Sequence, residues 1–180
     1  KKIVLIFGWV LVITLLTISI IDIEHLWIPP SICFLGIVNG LLLLIISSLI
    51  TYPEFNHSIL IDHLLGSLMG YFIFAFISKA GSFFYKKPVL GMGDAKLCFL
   101  LGIWLGSSGI LLSIYLTFLL SGVFSIISIS IGKLSFGKPF ALGPFISLCG
   151  FLVWLLGNEL CVDKSTGKLG RFHHSMMWKE

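Results

Sequence analysis

The 180-residue chain is 57% hydrophobic and only 11% charged, with a mean hydropathy of +1.08, more apolar surface than water-soluble packing can hide. A soluble domain is therefore excluded, and so is a nucleic-acid binder, because the net charge of +4 comes largely from loops and tail and builds no dense basic face. The four cysteines (Cys33, Cys98, Cys149, Cys161) form no CxxC pair, so no zinc site, disulfide framework or cofactor is expected.

Taken in chain order, the apolar runs predict an all-α, polytopic integral membrane bundle of about six helices, each approaching the roughly 20 residues a crossing needs. The first span, Ile3 to Ile21, has no small-residue cleavage site behind it and reads as structural rather than as a signal peptide. The second covers Ser31 to Ile50. After the polar stretch TYPEFNHS comes the third, Ile59 to Ser78. A loop, KAGSFFYKKPVLGMGD, leads to a short fourth helix, Ala95 to Leu105, which the GSSG run at 106–109 is expected to stop. The fifth spans Ile110 to Ile131 and the sixth Phe140 to Leu156. Residues 1–157 thus form one membrane-embedded domain, and 158–180 a polar tail. Three GxxxG pairs, Gly36–Gly40, Gly66–Gly70 and Gly102–Gly106, predict close helix approach. Lysine and arginine are spread almost evenly over the two sides, so charge alone does not orient the bundle.

With six spans, the loops after the first and third helices share a side. Asp22, in SIIDIEHLWIPP, and Asp94, in LGMGDAKL, can then meet. A carboxylate at membrane depth is costly and usually paired or functional. Two close carboxylates cannot both ionise cheaply, so one keeps a proton while the other activates a water, which is the chemistry of aspartic peptide hydrolysis. Gly91 and Gly93, lacking side chains, would let a substrate strand lie close to Asp94. The plainer alternatives are an N-cap for Asp94 and a solvated helix end for Asp22. Helix dipoles would favour the proton on Asp22, at a C-terminus, and the anion on Asp94, at an N-terminus.

The stretch GMGDAKLCFLLGIWLG resembles the glycine–aspartate–lysine block of type IV prepilin peptidases, bacterial members of the GxGD membrane aspartic proteases. IDIEHLWIPP is similar to that family's first aspartate block, with Asp22 seven residues before Pro29. IDHLLGSLMGY resembles the helix that precedes the GxGD loop, and KPFALGPFISLCG the start of the last helix. The resemblance, from about Ile20 to Gly157, implies Asp22 and Asp94 as the catalytic pair at the cytoplasmic face of the bacterial inner membrane. Gly91, Gly93 and Pro29 would be its loop support or substrate contacts. The implied substrates are prepilins and pseudopilins, cut after a glycine and before a hydrophobic helix. Pro30 and Leu142 depart from the family pattern, at positions that put efficiency rather than chemistry in question. No segment resembles the family's CxxC-bearing N-terminal domain, so a peptidase without methyltransferase activity is expected.

Asp62, beside His63, is expected to play a structural polar role inside the bundle. Lys96, about 200° around the helix from Asp94, is expected to snorkel to the interface and contact membrane lipids. Glu24 and His25 read as solvated. The main competing function is a small proton-coupled transporter that uses Asp22, Asp62 and Asp94 as relay groups. A presenilin-like protease fits less well, since Ile21 stands where that family has a tyrosine. Oligomeric state is not readable from the sequence.

Overall fold

The computed structural model describes residues 2–51, 57–85, 91–132 and 140–156, and among them every regular element is an α-helix. In chain order these are α1 (Lys2–His25), α2 (Pro30–Thr51), α3 (His57–Tyr85), α4 (Met92–Ser130) and α5 (Gly143–Leu156). Ile6–His25, Ser58–Phe83 and Met92–Ser130 are long and apolar enough to cross a membrane, while Pro30–Ile46 and Gly143–Leu156 are shorter apolar helices. The helical expectation holds, but six spans are not confirmed. The reason lies in α4, where the expected fourth and fifth spans run as one helix of 39 residues, interrupted in conformation only at Gly106 (φ 71°, ψ −176°). The expected tail at 158–180, with Cys161, lies outside the described residues.

A straight helix of that length would extend about 58 Å, roughly twice the hydrocarbon core. Packing shows that the chain instead doubles back at Gly106. Descending α4, Cys98 lies against Gly70, Gly102 against Ser67, and Gly106 against Gly66. Beyond the break the order inverts: Ile110 returns to Gly70, and Phe118 stacks on Phe74 with ring centroids 5.6 Å apart. Only a glycine takes this positive φ without a steric cost, so the reversal needs Gly106 in particular.

In lipid there is little hydrophobic drive between helices, so association rests on close contact of small residues. All three GxxxG pairs lie at such contacts. A Cβ on Gly102 would sit 2.4 Å from the Ser67 Cα, and one on Gly66 would sit 2.4 Å from the Gly106 carbonyl carbon. Gly36 and Gly40 receive Leu100 and Trp104, whose indole N–H also donates to the Gly36 carbonyl at 3.2 Å. α5 closes the bundle, with Gly150 against Leu101 and Trp154 against both Trp104 and Gly8. The outward faces are apolar: Trp9, Phe76 and Ile126 are each more than two-thirds exposed, which suits a lipid surround.

The turn between α1 and α2 is short. Leu26 adopts a left-handed conformation (φ 51°) and its N–H returns to the Asp22 carbonyl at 2.9 Å, closing α1. Pro29 precedes α2 and its carbonyl accepts the Cys33 N–H, while Pro30 opens the helix, a position that needs no N–H.

Candidate active site

Asp22 occupies the last turns of α1, one turn inside the helix end rather than at it, and is 5% exposed. Asp94 stands in the first turn of α4 and is 7% exposed. It is not the N-cap. Gly91 takes that place in extended conformation, without a side-chain cap, and its carbonyl accepts the Asp94 N–H at 3.1 Å. An acidic group in the first turn is favoured by the positive end of the helix. Asp22 and Asp94 are near enough for the charge of one to act on the other. Neither is in a salt bridge among the described residues; the one pair seen there, Glu24 with His25 at 3.8 Å, is solvent-exposed.

A third element completes the site, and it was not among the expected residues. At the start of α5, the Gly143 N–H donates to Oδ2 of Asp22 at 2.8 Å. Leu142 acts as the cap of that helix, its carbonyl receiving the Phe145 and Ile146 amides. The approach depends on glycine, because a Cβ on Gly143 would lie 2.6 Å from Asp22 Oδ2. The ALGPF stretch held the signal, a glycine–proline pair opening an apolar run, but nothing in it names Asp22 as partner. This contact also removes the dipole contrast expected between the two carboxylates. Asp22 belongs to a helix C-terminus, yet its carboxylate is received at the N-terminus of α5, so both groups face a positive helix end.

The two glycines of GMGD have different surroundings. A Cβ on Gly93 would lie 2.8 Å from the Cβ of Ile28, so Gly93 admits the turn that carries Pro29. Gly91 is exposed, and an added Cβ would meet only Asp94 Oδ2 at 3.6 Å and the Gly93 nitrogen at 3.8 Å. Its backbone is open beside the carboxylate. Pro29 lies just before the start of α2, where its carbonyl accepts the Cys33 N–H at 3.3 Å.

Asp62 and His63 are brought together elsewhere, at the α4 reversal. Asp62 accepts the Ser107 N–H at 3.3 Å and the Ser107 hydroxyl at 2.6 Å, and His63 Nδ1 lies 2.7 Å from the Ile103 carbonyl. Asp62 therefore holds the start of the returning arm as an N-cap does. Lys96 is exposed while Asp94 is buried, so the lysine points away from the pair, into a groove between α2 and α3. Among the described residues no group of three or more His, Cys, Asp or Glu side chains could hold a metal ion.

Residues 9–126 match the type IV leader peptidase family, Peptidase_A24. The chain is similar to the prepilin leader peptidase/N-methyltransferase of Stutzerimonas stutzeri, at 28% identity over 81% of this chain and 48% of that protein. It is similar to proteins of the same name from Aeromonas salmonicida (strain A449), at 26% over 87% and 50%, and from Pectobacterium carotovorum subsp. carotovorum, at 31% over 76% and 46%. The chain spans about half the length of these curated relatives. No solved structure matches it. The matched segment contains most of α1, the whole of α2 and α3, and α4 through its break as far as residue 126, and so both buried aspartates: the chain belongs to the type IV leader peptidase family.

Proposed function

We propose that the protein is a membrane aspartic endopeptidase that removes the leader peptide from type IV prepilins or pseudopilins. It cuts after a glycine at the cytoplasmic face of the bacterial inner membrane, with Asp22 and Asp94 as the catalytic pair. The observation that carries this reading is the convergence of two buried carboxylates from distant parts of the chain, coupled to each other and without a cation in a salt bridge among the described residues. The relatives' shared name supplies the substrate class.

In the proposed reaction one carboxylate removes a proton from a water as it attacks the scissile carbonyl. Its protonated partner hydrogen-bonds the carbonyl oxygen and then gives a proton to the leaving amine. The Gly143 N–H fixes the rotamer of Asp22, and Gly91 leaves main chain open for an extended substrate strand. Methyl transfer, the second activity in the relatives' name, forms no part of this proposal. The family assignment favours the peptidase over a proton-coupled transporter using the same carboxylates.

The test is cleavage of a prepilin in membranes by wild type, Asp22→Asn and Asp94→Asn, each shown to be inserted and folded. Both variants are expected to lose at least 10³-fold in rate, on the order of removing a catalytic group. Normal cleavage by either would end the two-aspartate reading.

A further inference from the structure

A regular α-helix would pair the Ser107 N–H with the Ile103 carbonyl, four residues back. The reversal of α4 at Gly106 falls inside that pair, and α3 meets both halves of it with side chains. Asp62 accepts the Ser107 N–H at 3.3 Å and its hydroxyl at 2.6 Å, while His63 Nδ1 lies 2.7 Å from the Ile103 carbonyl oxygen. Neighbouring residues on a helix diverge by about 100°, so the two side chains straddle α4, one on each arm. Gly66, one turn further along α3, lets the backbones touch at the same point, since a Cβ there would lie 2.4 Å from the Gly106 carbonyl carbon. A carbonyl oxygen only accepts, so the Ile103 contact requires the proton on Nδ1 of His63. The other ring nitrogen, Nε2, faces the reversal, 3.7 Å from where a Cβ on Gly106 would be.

We propose that Asp62 and His63 act as one clamp on the two arms of α4, and that His63 is a positioning residue for Asp94. Ile103 belongs to the arm that begins at Met92 and carries Asp94 in its first turn. That arm is located at its head by the close contact of Gly93 with Ile28, and at its foot by His63. Asp62 grips the returning arm instead, so the two neighbours divide the work. Ile103 stands about 14 Å along the axis from Asp94, and a helix carries an axial shift over that length as a rigid element. A misplacement of about 1 Å can cost on the order of 10²-fold in rate, so a loosened foot reaches the carboxylate. The positioning role rests on the peptidase reading; the clamp itself does not.

The test compares three substitutions of His63 in the full chain, in membranes and in mild detergent. His63→Asn puts an amide N–H where Nδ1 is, His63→Gln puts one where Nε2 is, and His63→Ala has neither. His63→Asn is expected to keep the wild-type melting midpoint and rate of prepilin cleavage. His63→Gln and His63→Ala should melt lower, and kcat should fall about 10-fold with KM unchanged, since no substrate contact is removed. Equal rates in His63→Asn and His63→Gln would overturn the positioning role. Combined with Asp62→Ala, His63→Ala should lower the midpoint by less than the two single losses together, because either loss already frees the reversal. Additive losses would refute a single clamp. In nitrogen NMR of the wild type labelled at histidine, the resonance that His63→Asn removes should belong to an imidazole protonated on Nδ1. A bare Nδ1 would refute the clamp whatever the activity. Failure of the wild type to cleave a prepilin would end the peptidase reading alone, and the melting and NMR results would still decide the clamp.

Discussion

Gly143 and Asp22 are joined by a 2.8 Å hydrogen bond from a helix N-terminal amide to a carboxylate oxygen, linking the last described helix to the first. The bond supplies an oxygen of a buried carboxylate with a donor that water would otherwise provide. It also sets where Asp22 points. Gly143→Ala would place a Cβ 2.6 Å from Oδ2 and 3.0 Å from Cγ. Asp22 must then rotate, and prepilin cleavage in membranes is expected to fall at least 10-fold, with the protein still folded by thermal melting in detergent. Wild-type rates in Gly143→Ala would show that the contact does not position the aspartate.

Asp62 stabilises the reversal of α4 through Ser107. Asp62→Ala removes the acceptor of both the Ser107 N–H and its hydroxyl, and should cost roughly 1–3 kcal/mol of stability. Gly106→Ala should cost at least as much, since it combines a left-handed φ with a Cβ 2.6 Å from Asp62 Oδ2. Reversible unfolding in detergent micelles measures both, and an unchanged midpoint in either variant would contradict the capping role.

Glycines along α4 should respond very differently to one methyl group. Gly102→Ala drives its Cβ into Ser67 main chain at 2.4 Å, where no side chain can yield, and should destabilise by roughly 1–3 kcal/mol. At Gly122 an added Cβ meets nothing within 4 Å, and Gly122→Ala should be neutral or stabilising by about 0.5–1 kcal/mol through the backbone entropy of the unfolded chain. Similar unfolding midpoints for the two variants would refute this ordering.

Ser147 is 3% exposed, and its hydroxyl has no hydrogen-bond partner among the described residues. Several helix-borne serines and threonines return their hydroxyl to the carbonyl four residues earlier, as Thr14, Ser82 and Thr117 do. An unsatisfied buried hydroxyl is a liability, so Ser147→Ala should leave stability unchanged or raise it by about 1 kcal/mol. A clear drop in melting midpoint would show that the hydroxyl is satisfied in the membrane.

Much of the architecture was legible in the residues themselves. Long apolar runs must be helical in lipid, because the hydrocarbon satisfies no backbone donors, and the GxxxG spacing marked the faces that meet. The two aspartates stood out because charge is scarce in such a chain. Less legible was α4. GSSG reads as a loop between two helices, yet one glycine makes the whole turn and Asp62, far away in sequence, caps the arm that follows. Glycine roles were also hidden: Gly91 and Gly93 are two positions apart, but one lies open beside Asp94 while the other accommodates Ile28.

Composition and pattern by themselves determined that this chain is a helical membrane protein with a few carboxylates set among apolar runs, because hydropathy and helix period are local properties. Which donor meets Asp22, which glycine stays open and where Lys96 points were decided only by tertiary structure. Those depend on which helix ends come together, and short-range sequence carries no record of a neighbour more than a hundred residues away.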